Sequence, residues 1–136
     1  MKKNYFLTLL LGLFITTASA QFTKDDVRFW VGSGNDSSVV VIDFKDGSED
    51  SSYAWGFIYN ESDDLTFGDM LLAISAAEPN FDVVISSGGF LNDVIFNTHS
   101  GLAANPDYWS TWSGDDFASL EMNNGISELL SDERWF

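Results

Sequence analysis

In 107-DYWSTWSGDD-116 three large aromatics, Tyr108, Trp109 and Trp112, stand among small hydroxyl residues and run into two carboxylates, Asp115 and Asp116. A flat ring edged by hydrogen-bonding groups suits a sugar, which presents C–H groups on its faces and hydroxyls at its rim. The same set suits other flat ligands, such as a tetrapyrrole or a corrinoid. The competing reading is that all of these rings are core, since aromatics bury much area per residue. Alternation along an extended chain divides the motif: Tyr108, Ser110 and Trp112 share one face, Trp109, Thr111 and Ser113 the other. One tryptophan is then expected in the core and the other open to a ligand.

Carboxylates also gather in loops, at 46-DGSED-50, 60-NESDD-64 and 114-GDD-116. Calcium takes hard oxygen ligands from such loops, and Asp46, Glu49, Asp50, Asp63 and Asp64 are the candidate ligands. None of these stretches has the spacing of an EF-hand, so solvated acidic loops are the alternative. His99 is the only histidine and there is no cysteine, which removes the usual zinc sets. No G-x-S-x-G context accompanies a serine, and no carboxylate pair stands out for glycoside hydrolysis. A loop histidine in 97-NTHSG-101 is expected to be a surface or hydrogen-bonding residue. Enzymatic chemistry is not expected.

The elements that must hold these groups are short. The stretch 27-VRFWV-31 reads as a strand and 32-GSGNDSS-38 as a loop. The β-branched run 39-VVVIDF-44 suits a strand buried on both faces. Asp46-Gly47 marks a turn, and in 53-YAWGFIY-59 Tyr53, Trp55, Phe57 and Tyr59 alternate onto one face, which completes a hairpin. One helix is expected over 67–78, capped by Thr66 with Asp69 three residues on, apolar along Phe67, Met70, Leu71, Ile74 and Ala77, and ended by Pro79. Strands at 81–86 and 90–96 flank a Gly88-Gly89 turn. Residues 97–107 read as loop, 107–113 and 117–122 as further strands, and 126–136 as a helical turn followed by a strand. The order is α+β, with one helix packed on a mixed or antiparallel sheet in a β-grasp-like arrangement.

The first twenty residues read as a signal peptide: Lys2 and Lys3, an apolar 5-YFLTLLLGLFI-15, then 18-ASA-20 as a cleavage site. The apolar run is shorter than the ~20 residues of a membrane span. Residues 21–136 are thus expected to be exported as one domain, secreted or at the cell surface, without membrane insertion. All 21 acidic residues lie after Ala20, with only Lys24, Arg28, Lys45 and Arg134 opposing them, so the net charge moves from −15 to −17 on cleavage. Such a chain repels phosphate backbones and anionic lipid, which disfavours nucleic acid and membrane partners. Lacking disulfides, the domain must be held by burial. The abrupt end at Trp135-Phe136 is read as a truncation that would lose a final strand or a sorting segment.

The set 39-VVVIDFKDG-47, 53-YAWGFIYN-60, 67-FGDMLLAISAAEP-79 and 108-YWSTWSG-114 resembles a widespread domain of secreted bacterial proteins. That resemblance covers most of residues 27–136 and implies export and a domain, with no settled molecular activity. A weaker similarity, through Thr66, Asp69, Leu71 and 108-YWSTWSG-114, is to the small β-grasp-like domain at the C-terminus of transcobalamin-type binders. It implies a corrinoid held by Trp109 or Trp112. Two functions are therefore carried forward. One is an exported, non-enzymatic binding module for a glycan or flat small molecule. The other is a structural or adhesive domain contacting other cell-surface proteins, with acidic and calcium-binding loops.

Overall fold

The computed structural model describes residues 22–136; the expected signal peptide and its cleavage site lie outside them. The strands are β1 (Val27–Gly32), β2 (Asp36–Asp43), β3 (Ser52–Tyr59), β4 (Phe81–Ile85), β5 (Leu91–Phe96), β6 (His99–Gly101), β7 (Trp112–Ser113) and β8 (Glu121–Met122), with one helix, α1 (Phe67–Ala77), between β3 and β4. The class is α+β. The strands divide among three sheets where the sequence suggested one: β1-β3-β2, β4-β5-β6 and β7-β8.

In the first sheet β3 is central, antiparallel to β2 and parallel to β1. Its alternating residues explain what packs on each face. Trp55, Phe57 and Tyr59 are buried on one side, where α1 and the β4–β6 sheet cover them. Trp55 lies 4.8 Å from Phe81 and 5.1 Å from Phe96, and Tyr53 lies 4.9 Å from Phe96, measured between ring centroids. Each such ring contributes about 1.5–3 kcal/mol by leaving water. On the opposite face Ala54 meets Val39 and Trp135 in a second, smaller core with Phe117 and Leu120 against it. Both faces of β2 are therefore covered, as its unbroken apolar run suggested. Still on that opposite face, Gly56 has no side chain because the Trp30 ring lies where a Cβ would project.

Thr66 caps α1, its hydroxyl accepting from Asp69 N–H while Asp69 accepts from Thr66 N–H at 2.9 Å. Phe67, Met70, Leu71 and Ile74 point into the core. The chain's last residues run parallel to β2: Val39 N–H donates to the Arg134 carbonyl (2.9 Å), Phe136 N–H to that of Val39 (2.8 Å), and Val41 N–H to that of Phe136 (2.8 Å). Phe136 stacks on Phe67 at 4.7 Å, so this ribbon closes the sheet and the helix together. β2 begins three residues earlier than its apolar run, because Asp36, Ser37 and Ser38 continue the ladder opposite Tyr59, Ile58 and Phe57 of β3; just before the ribbon, Asp132 accepts from Ser37 N–H and the Ser131 carbonyl from Ser38 Oγ.

Two expected strands are shorter. In 107–113 only Trp112 and Ser113 pair, with Met122 and Glu121, and Phe117–Ser119 is a 3₁₀ turn capped by Asp116, so of 117–122 only the last two residues are strand. Conversely, His99–Gly101, expected as loop, forms β6 by folding back on β5. Among the described residues no helix is long and apolar enough to cross a membrane.

Candidate functional site

The aromatic motif opens onto a groove of about 800 Å³ between the β4–β5 turn, residues 108–111 and the segment after β8. Although 107–111 makes no ladder, exposure still alternates along it as the sequence suggested: Tyr108, Ser110 and Trp112 are exposed, Trp109 and Thr111 half-buried, Ser113 buried. Trp109 is anchored. Its Nε1 donates to the Gly101 carbonyl (3.1 Å), its ring covers the Gly101 Cα where a side chain would collide, and Phe44 meets it edge-on at 6.0 Å. Tyr108 is free, 75% exposed.

Sequence reasoning paired these two with Trp112, Asp115 and Asp116, and the structure separates the five. Tyr108 and Trp109 line the groove, whereas Trp112 lies outside its lining, its Nε1 donating to Ser110 Oγ. Asp115 pairs with Arg134 at 3.1 Å in a neighbouring polar hollow of about 410 Å³. Asp116 accepts from Ala118 N–H and caps a turn. In place of the last three, the groove acquires Phe90 and Met122, 71% and 70% exposed, and the half-buried Ile126. Phe90 follows the Gly88-Gly89 turn and Met122 precedes Asn123-Asn124-Gly125. Those adjacent turn residues were the available signal, because they keep a large side chain from being drawn into a sheet face.

The polar part of the groove is made of amides and hydroxyls: Asn92, Asn123, Asn124, Ser110 and Thr111. No lining side chain is a carboxylate or a cation, in a chain of net charge −15. Asn123 is fixed in orientation. Its Oδ1 accepts from Gly125 N–H (2.8 Å), which can only donate, and from Thr111 Oγ1 (2.6 Å). Its Nδ2 is left buried without a partner, and an unsatisfied buried donor costs about 1–3 kcal/mol.

The candidate calcium ligands do not converge. Among the described residues no three His, Asp or Glu side chains are arranged to hold an ion. Asp46 is engaged by His99, whose Nδ1 lies 2.6 Å from Asp46 Oδ2. That contact, followed by hydrogen bonds from Ser48, holds the Asp46 carboxyl down to about 2. Glu49 and Asp50 are exposed in the same loop, Asp63 ends a 3₁₀ turn, and Asp64 sits beyond it in a left-handed conformation (φ 50°). His99 itself, expected to make surface or hydrogen-bonding contacts, is tied on both sides, its Nε2 lying 2.8 Å from Tyr53 Oη.

No protein-family model, curated protein or solved structure matches this chain. The resemblances seen in the sequence therefore gain no support from neighbours, and the groove has to be interpreted from its own chemistry.

Proposed function

We propose that the protein is a non-enzymatic binding module whose groove takes a neutral glycan. The observation that carries this reading is the contrast between an acidic chain and a groove whose lining side chains, aromatic, aliphatic, thioether, amide and hydroxyl, are all uncharged. Large apolar side chains left in water around a cleft mark a place that something else covers. A ligand without charge loses little by leaving water for such a lining, whereas an anion would meet the repulsion of the whole protein. Phe90, Tyr108 and the edge of Trp109 offer surfaces for the C–H faces of sugar rings. Asn92 and Asn124 carry amides that can both donate to and accept from hydroxyls. A groove of about 800 Å³ falls within the roughly 300–1,000 Å³ of small-ligand clefts.

The test is an isothermal titration of the protein with neutral gluco-, xylo- and manno-oligosaccharides, alongside an acidic oligosaccharide, cobalamin, and calcium chloride. Saturable binding of a neutral oligosaccharide is expected, insensitive to chelator. It should weaken on the order of tenfold or more in Tyr108→Ala and Phe90→Ala, the size of an aromatic hot spot, and survive in Trp112→Ala. Binding of cobalamin in place of every oligosaccharide would replace the ligand class. No heat with any of them would overturn the binding reading and leave the structural or adhesive one.

A further inference from the structure

We infer that Trp112 forms a second sugar-ring subsite beside the groove, which makes the ligand an extended neutral glycan chain in place of a single sugar. The inference deepens the glycan reading of the groove and rests on it. Among the described residues the three most exposed large apolar side chains are Tyr108, Phe90 and Met122, and all three line the groove. Trp112, 43% exposed, lies just outside that lining. Two contacts make its ring continuous with it.

The first runs through Met122. Trp112 and Met122 are direct partners across β7 and β8. One pair further along, Asn123 N–H donates to the Thr111 carbonyl at 3.2 Å. Hydrogen-bonded and non-hydrogen-bonded pairs alternate in an antiparallel ladder, so Trp112 and Met122 form a non-hydrogen-bonded pair, the kind whose side chains stand nearest each other. A thioether beside an indole packs favourably, and Met122 also lines the groove. Apolar surface therefore passes from the groove over Met122 to the indole.

The second contact runs through Ser110. Its Oγ accepts from Trp112 Nε1 at 3.2 Å, and the same residue lines the groove. That bond restrains the indole before any ligand arrives, so less side-chain freedom is lost when a ring stacks on it. Tyr108, Ser110 and Trp112 are all exposed, at alternate positions that share one side of the chain. Residues four apart in an extended chain are separated by about 13 Å, farther than one sugar ring reaches. A ligand that covers Tyr108 in the groove and Trp112 beside it must carry more than one ring. A chain of uncharged sugars meets that requirement.

Isothermal titration of the full chain with neutral gluco-, xylo- and manno-oligosaccharides, each from monosaccharide to hexasaccharide, tests this. In the series that binds, affinity should rise about tenfold, the size of one aromatic contact, at the length that first reaches Trp112. In Trp112→Ala that rise should vanish while the shorter members bind as they do to the wild type, which also shows that the variant is folded. Trp112→Phe should restore most of the rise. In nitrogen-15 spectra of the wild type, the Trp112 indole N–H resonance should move with the long members and stay in place with the short ones. A wild-type affinity independent of length, or a rise that persists in Trp112→Ala, overturns the inference and leaves the groove reading standing. An equal loss at every length overturns it too, because Trp112 would then belong to the groove itself. No binding at any length removes the groove reading, and the inference with it.

Discussion

Two stretches of this chain are almost equally aromatic and end in opposite environments. Residues 53–59 carry Tyr53, Trp55, Phe57 and Tyr59, and Trp55 is wholly buried. Residues 108–112 carry Tyr108, Trp109 and Trp112, and Tyr108 is three-quarters exposed. Side-chain type is the same in both, so it does not decide burial. Backbone partners do. β3 has a strand hydrogen-bonded on each side and a helix and second sheet over one face. Residues 107–111 have no ladder partner, and only Trp109 reaches back to an acceptor on β6. Tyr108, with neither a ladder partner nor a side-chain anchor, stays in water unless something from outside covers it.

Substitutions sharpen that contrast, and the largest effect belongs to the sealed stretch. Trp55→Ala removes a fully buried ring and leaves the Glu78 carboxylate without its indole donor, so unfolding in urea should show a loss of about 3–5 kcal/mol. Trp109→Ala removes a half-buried ring, and its loss should be smaller, about 2 kcal/mol. Equal losses at the two sites would mean that 108–112 is core after all. Tyr108→Ala should change stability by no more than about 0.5 kcal/mol, with its effect confined to ligand titrations. A large destabilisation there would break the comparison outright.

Acid probes the loop before β3, where Asp46 meets His99. The folded carboxyl of Asp46 sits at about 2 against an ordinary 3.8. Its contribution to stability is therefore complete above the ordinary value and disappears as pH falls through the folded one. Asp46→Asn should flatten that part of the acid-unfolding curve. A variant that unfolds along the wild-type acid curve would show that Asp46 carries none of this dependence.

The helix and the first hairpin were legible because their signals are local: a cap at Thr66, apolar residues three and four apart, and period-two alternation in β3. Burial of β2 on both faces was legible too, from its unbroken apolar run. What escaped either lacks a pattern of its own or depends on distant partners. β6 has three residues with no strand-like pattern, and forms because β5 supplies a template for it. The extended stretch 107–111 has the alternation of a strand but no neighbour to pair with. Of the groove, the sequence offered Tyr108 and Trp109. The turns beside Phe90 and Met122 marked them as exposed, but not that they join Tyr108 and Trp109 from other parts of the chain, nor could the sequence reveal that Asp116 is occupied as a cap.

The ribbon at 134–136 also has a consequence for the order of folding. Its neighbourhood bonds to β2 across a great length of chain; Ser37 and Asp132, for example, are 95 positions apart. Closing so long a loop costs entropy that nearer contacts do not, so the β2–β3 hairpin should form well before the ribbon docks. Until then one side of Val39–Ile42, a β-branched stretch without charge, is an open strand edge, the kind of template that pairs with another copy. The molecule's window of greatest vulnerability to self-association thus lies late in folding, and closes with the docking of a few residues.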